Sequence, residues 1–209
     1  MPVNCTCGVA RHGTRVVNGE ETEVNEFPWM AGLVTTGDSF VWCGGSLISS
    51  VWIMTAAHCT ENRFPSGIEV LLGEHDYQDE TETVTIRAKI TKIIAHPMYD
   101  SATVDYDFSL MKLKSQLDFS MYSHIRPVCL PEDPTESFAG FEATVTGWGT
   151  TFSGGPASNY LQQAQLNVLS NDECNSPTYA YNGVITEQMM CANVPGGGTD
   201  SCQGDSGNG

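Results

Sequence analysis

Basic residues are scarce in this 209-residue chain: Lys and Arg number 9 against 25 Asp and Glu, for a formal net charge of -16 and a pI of about 4.4. A surface of that sign repels polyphosphates, which argues against nucleic-acid binding. It makes a soluble, self-repelling surface, and it also draws in cationic molecules over a Debye length of ~8 Å at physiological salt. Long apolar runs are missing too, so no segment is expected to cross a membrane as a helix. The opening residues Met1 to Cys5 lack the apolar core of a signal peptide, and for a secreted protein the export signal then lies outside this chain. There is no repeated CxxC pair. Cys43, His58 and Cys59 are donor types for zinc, but no second close-spaced Cys or His pair completes a tetrahedral site, so no metal is assigned. Eight cysteines without a metal pattern imply disulfides and an oxidising, extracellular compartment.

Helix signals are sparse as well. The 21 glycines and 10 prolines fall between short runs rich in Val, Ile, Thr and aromatic residues, the pattern of an all-β strand-and-turn protein. Strands are expected over residues 29–35, 45–48, 51–55, 68–72, 83–94, 108–113, 142–146 and 161–169, at a spacing that suits hairpins of a barrel or sandwich. A short helix is expected after Ser170, which with Glu173 fits a capping box. Residues 1–15 are polar and read as a tether, and a β chain of the remaining length commonly counts as one domain.

Three segments carry chemistry. In Gly204-Asp205-Ser206-Gly207 a serine sits between glycines, where backbone N–H groups can approach a reacting carbonyl without side-chain obstruction. Alone, such a string is a common turn. Thr55-Ala56-Ala57-His58-Cys59 delivers one imidazole from an apolar strand, a candidate general base. Asp107 heads the apolar run Phe108-Ser109-Leu110, where a buried carboxylate needs a hydrogen-bonding partner.

With Val16-Val17-Asn18-Gly19 and Gly147-Trp148-Gly149 added, five stretches in order resemble the chymotrypsin and trypsin family, over residues 7 to 209. The resemblance implies two six-stranded antiparallel Greek-key barrels, the second incomplete here, in a secreted serine endopeptidase. It implies Ser206 as nucleophile, His58 as base, Asp107 as the group that fixes the imidazole tautomer, and the N–H groups of Gly204 and Ser206 as oxyanion donors. Asp200, six residues before Ser206, would lie at the base of the specificity pocket and favour Arg or Lys; its plainer alternative is a solvated acid in a glycine-rich loop. Arg15 before Val16 resembles an activation site, whose cleavage by another protease would free a Val16 ammonium to pair with Asp205. With Arg15 still joined to Val16, the resemblance implies a zymogen.

Eight cysteines allow 105 pairings by arithmetic. The resemblance implies Cys43 with Cys59, Cys174 with Cys191 and Cys7 with Cys129, leaving Cys5 and Cys202 over. Expected partners are protein or peptide substrates, protein protease inhibitors and an activating protease, with the chain itself a monomer. No cofactor is required. Glu74, Asp76, Glu80 and Glu82 offer oxygens to calcium, although a solvated acidic loop is the preferred reading. The alternative function is a non-catalytic one, a truncated fragment or a binding-only homologue, because relatives continue beyond the point where this sequence departs at Asn208-Gly209.

Overall fold

The computed structural model describes residues 6–11, 20–79, 81–133, 135–150, 155–179 and 183–193. Ten strands, two short helices and one 3-10 turn occur among them: β1 (Glu20–Glu21), β2 (Met30–Thr35), β3 (Val41–Leu47), β4 (Trp52–Thr55), α1 (Ala57–Thr60), the 3-10 turn Pro65–Gly67, β5 (Ile68–Leu72), β6 (Ile86–Ala95), β7 (Ser109–Leu113), β8 (Glu142–Gly147), β9 (Gln162–Leu169), α2 (Asn171–Cys174) and β10 (Cys191–Asn193). The fold is mainly β. Six strands close into an antiparallel barrel in the order β2-β3-β4-β7-β6-β5. A second sheet forms around β9, with β8 along one edge and β1 and β10 along the other.

Residues of β2 alternate between two buried faces, as side chains on a pleated strand must. Ala31 and Leu33 point into the barrel with Leu47, Ile53, Ile68, Val70, Leu72 and Met111, all fully buried. Met30 and Val34 turn outward and pack with Val41, Leu71, Trp148 and Leu161 in a second cluster. Both faces of β2 are therefore buried, and all five β5 residues are buried too, including Glu69, whose Oε2 accepts from Arg87 Nη1 at 3.2 Å. Gly45 is required where β3 and β4 cross: a Cβ there would come within 2.8 Å of the Met54 carbonyl oxygen.

Trp148, in Gly147-Trp148-Gly149, joins the two sheets. Its ring is 1 % exposed, and its Nε1–H donates to the His75 carbonyl at 2.8 Å. His75 is itself buried, with Thr22 Oγ1 at 3.3 Å and Glu21 Oε1 at 3.1 Å from its two ring nitrogens. A buried indole N–H and imidazole without such partners would be costly.

Three disulfides are present: Cys7–Cys129, Cys43–Cys59 and Cys174–Cys191. They bind the N-terminal segment to the connection between the sheets, β3 to α1, and α2 to β10. Cys5 and Cys202 lie outside the described residues.

Candidate active site

The geometry of the site follows from strand register. β4 and β7 are antiparallel neighbours with Thr55 opposite Ser109. His58 lies three residues past Thr55 and Asp107 two residues before Ser109, so both emerge at the same end of the barrel although 49 residues separate them. α1 turns the chain immediately after β4, which holds His58 at the rim instead of letting the strand carry it away. Thr55 Oγ1–H donates to the Gly44 carbonyl at 2.6 Å and ties the end of β4 to β3.

Asp107 uses both oxygens on one residue. Its Oδ1 accepts the backbone N–H of His58 at 2.8 Å and its Oδ2 accepts Nδ1–H of the same histidine at 2.6 Å. An ionised carboxylate only accepts, so Nδ1 carries the proton and Nε2 is the basic nitrogen. The side chain of Asp107 is 18 % exposed and that of His58 39 %, which shields the orienting group while leaving the imidazole accessible. The phenol of Tyr99 is pushed up, first by burial and then by the carboxylates of Asp107, Glu61 and Asp100.

Cys59 Sγ lies 3.6 Å from His58 Nε2. Donor atoms of Cys43, His58 and Cys59 all fall within 4.8 Å of one another, the spacing of a metal site. The Cys43–Cys59 disulfide explains that spacing and removes both thiolates, so these residues do not fit a zinc ion.

In the acidic loop, Glu74 Oε1 accepts the His75 N–H at 3.1 Å, Asp76 Oδ1 accepts the Gln78 N–H at 2.9 Å, and Glu82 Oε1 accepts the Asp76 N–H. Glu74 is pushed above the usual carboxylate range by burial and by the charges of Glu82 and Asp76. Three of the four acids are thus engaged by the loop's own backbone; Glu80 lies outside the described residues.

The structure brings His58 and Asp107 together. Ser206, Gly204, Asp205, Asp200, Arg15 and Val16 lie outside the described residues. Two contributors had no sequence signal: the His58 backbone N–H as a second donor to Asp107, and the parallel stacking of Tyr106 on His96 at 4.7 Å just before Asp107. Both depend on where distant strands end.

The fold and the pair together define a class: β proteins with a closed six-stranded barrel that hold a carboxylate-oriented histidine at one end. The family model described as Trypsin matches residues 16–209, and the chain belongs to that family. It is 39% identical over 210 residues to venom serine protease 34 of Apis mellifera, covering 98% of this chain and 50% of the relative. Against serine proteinase stubble of Drosophila melanogaster it is 38% identical over 212 residues, covering 96% of this chain and 26% of the relative. Ovochymase-2 of Mus musculus is 38% identical over 198 residues, 93% of this chain and 32% of the relative. The chain thus spans half or less of the length of these curated relatives.

Proposed function

We propose that residues 16–209, behind a tether of residues 1–15, form the protease domain of a secreted serine endopeptidase that cleaves after Arg or Lys. The observation that carries this reading is the two-point hold of Asp107 on His58, at 2.8 and 2.6 Å. It sets Nε2 as the base and gives the imidazolium a fixed counter-charge. Two of the relatives are themselves named as a serine protease and a serine proteinase.

In the proposed reaction, Ser206 Oγ attacks the scissile carbonyl carbon as its proton passes to His58 Nε2. The N–H groups of Gly204 and Ser206 bind the oxyanion. When the tetrahedral species collapses, the C–N bond breaks, His58 returns the proton to the leaving amine, and the acyl group stays on Ser206. Water then attacks the ester with His58 again taking the proton, which restores the serine hydroxyl and frees the acid. Every proton is moved by a side chain of the protein, so no cofactor is called for. Asp200 would pair with the substrate cation, and the -16 net charge favours the approach of such substrates. Cleavage after Arg15 would release the Val16 ammonium to Asp205, making the chain a precursor. Three disulfides support the oxidising compartment. The partners are then protein substrates, protein inhibitors and an activating protease, acting on a monomer. Backbone N–H groups already engage Glu74, Asp76 and Glu82, and Asp76 is buried, which supports a self-bonded acidic loop over a calcium site.

The test is turnover of arginine amide substrates by the natural protein cleaved after Arg15. Ser206→Ala should abolish turnover while retaining a basic inhibitor, and Asp200→Ser should weaken the preference for Arg and Lys. Activated protein that leaves every peptide amide intact would sink the reading; unchanged preference in the Asp200 variant would remove that residue from the pocket.

A further inference from the structure

Asp107 reaches His58 from backbone held against its own preference. Val104 and Tyr106 lie at φ 59° and 52°, in the left-handed region. For a β-branched valine this is a true outlier, and such strain persists only where the surroundings over-determine it. Most of the restraints are local to the connection between β6 and β7. The Val104 N–H donates to the Asp100 carbonyl at 2.7 Å, the Asp100 N–H to the Asp105 carbonyl at 3.2 Å, and the Phe108 N–H to the Tyr106 carbonyl at 2.8 Å, closing a tight turn across Asp107. The Tyr106 ring lies parallel to His96.

One restraint arrives from the other sheet. The Thr186 hydroxyl donates to Asp105 Oδ1 at 2.7 Å, across 81 positions of sequence. Thr186 is fixed in turn by α2. Asn171 Nδ2–H groups donate to the carbonyls of Thr186 at 2.7 Å and Met189 at 2.9 Å. Asn175 grips Ile185 at both ends, donating to its carbonyl at 2.8 Å and accepting its N–H at 3.0 Å. The Cys174–Cys191 disulfide fastens α2 to β10. A continuous chain of bonds therefore runs from the second sheet to the residue two places before Asp107.

We propose that Thr186 is a positioning residue for the His58–Asp107 pair, holding the strained 104–106 segment through Asp105 so that both Asp107 oxygens stay on His58. The inference rests on the catalytic reading of that pair. A carboxylate engaged at two points cannot shift without lengthening one bond, and charge-assisted bonds weaken steeply with distance and angle. Catalysis amplifies such errors: a misplacement of about 1 Å can cost about 10²-fold in rate.

The experiment uses the activated natural protein and its Thr186→Val, Thr186→Ser, Asp105→Ala and double Thr186→Val/Asp105→Ala variants. It reads kcat and KM on an arginine amide, together with the low-field proton resonance of His58 Nδ1–H. Thr186→Val should lower kcat about 10- to 100-fold with KM unchanged and should shift or broaden that resonance. Thr186→Ser should restore both, and the double variant should be no worse than either single one, because each removes the same bond. Wild-type kcat and resonance in Thr186→Val would overturn the proposal, as would failed rescue by serine or additive losses in the double variant. If the wild-type protein hydrolyses no peptide at all, the catalytic reading fails alone. The resonance still decides whether Thr186 positions the pair.

Discussion

The barrel and the sheet beside it are built from similar short strands but treat their edges differently. Each of the six barrel strands is paired on both sides, and β5 is buried at every position. β8 pairs only with β9 among the described strands, and four of its six residues are exposed or half-buried. Closure leaves no free edge and no freedom of register. The contrast teaches why the His58–Asp107 pair belongs to the barrel: the pairing of Thr55 with Ser109 cannot slip without breaking the ring, so the two residues meet. From the connection between α2 and β10, beside the second sheet, a single side-chain bond reaches the barrel, that of Thr186 to Asp105.

The largest effect that probes this contrast is on the pair. Asp107→Asn keeps the shape but replaces one acceptor oxygen with an NH₂ donor, so the imidazole loses its fixed tautomer. Peptidase kcat should fall by about 10²- to 10⁴-fold with the fold intact, as checked by turnover and circular dichroism. Retained kcat would mean that the barrel register does not serve catalysis.

Matched valines probe the packing. Val70 faces the barrel interior at 0 % exposure, and Val168 lies in β9 at 2 %. Val70→Ala should cost about 2–3 kcal/mol in denaturant unfolding, because a closed barrel relaxes little around a cavity. Val168→Ala should cost less, nearer 1 kcal/mol, because β9 lies outside the closed ring and its surroundings can relax further around the gap. Equal costs would erase the distinction drawn between the regions.

Trp148→Phe tests the seam. It keeps most of the apolar bulk and deletes the bond to the His75 carbonyl, which still accepts the Leu161 N–H. A loss of about 1 kcal/mol is expected, seen as a lower unfolding midpoint.

The smallest effect should be Glu74→Gln. Glu74 is raised in the folded state, first by burial, so on acidification the folded protein takes up this proton before the unfolded chain does. Its charge therefore opposes folding at neutral pH, and that penalty is lifted as pH falls through the raised folded value toward the unfolded one. The glutamine variant should melt slightly higher than wild type at pH 7, with the gain gone below the unfolded carboxylate range. Melting curves at the two pH values check the sign.

Much of the fold was legible because period-2 runs bounded by glycine and proline are a local signal. Strands expected over 29–35, 51–55, 68–72 and 161–169 occur as Met30–Thr35, Trp52–Thr55, Ile68–Leu72 and Gln162–Leu169. The capping box was equally local: Ser170 Oγ accepts the Glu173 N–H at 3.2 Å. β3 begins at Val41, four residues before the expected start at Gly45, where a Cβ would come within 2.8 Å of the Met54 carbonyl oxygen. β1 and β10 escaped notice, being two and three residues long and existing only as partners of β9. Of the candidate site, His58 and Asp107 were legible as motif residues. Neither motif contains the distance between them.

Residue order alone determined the chemistry on offer: a histidine after an apolar strand, a carboxylate before another, an acidic surface and cysteines without a metal pattern. Those are properties of side chains and their near neighbours. Tertiary structure decided which groups touch, since only barrel closure places residue 58 against residue 107 and only the second sheet brings Thr186 to Asp105. Contacts across 49 and 81 positions depend on the register of whole strands, a collective quantity that no short window of sequence carries.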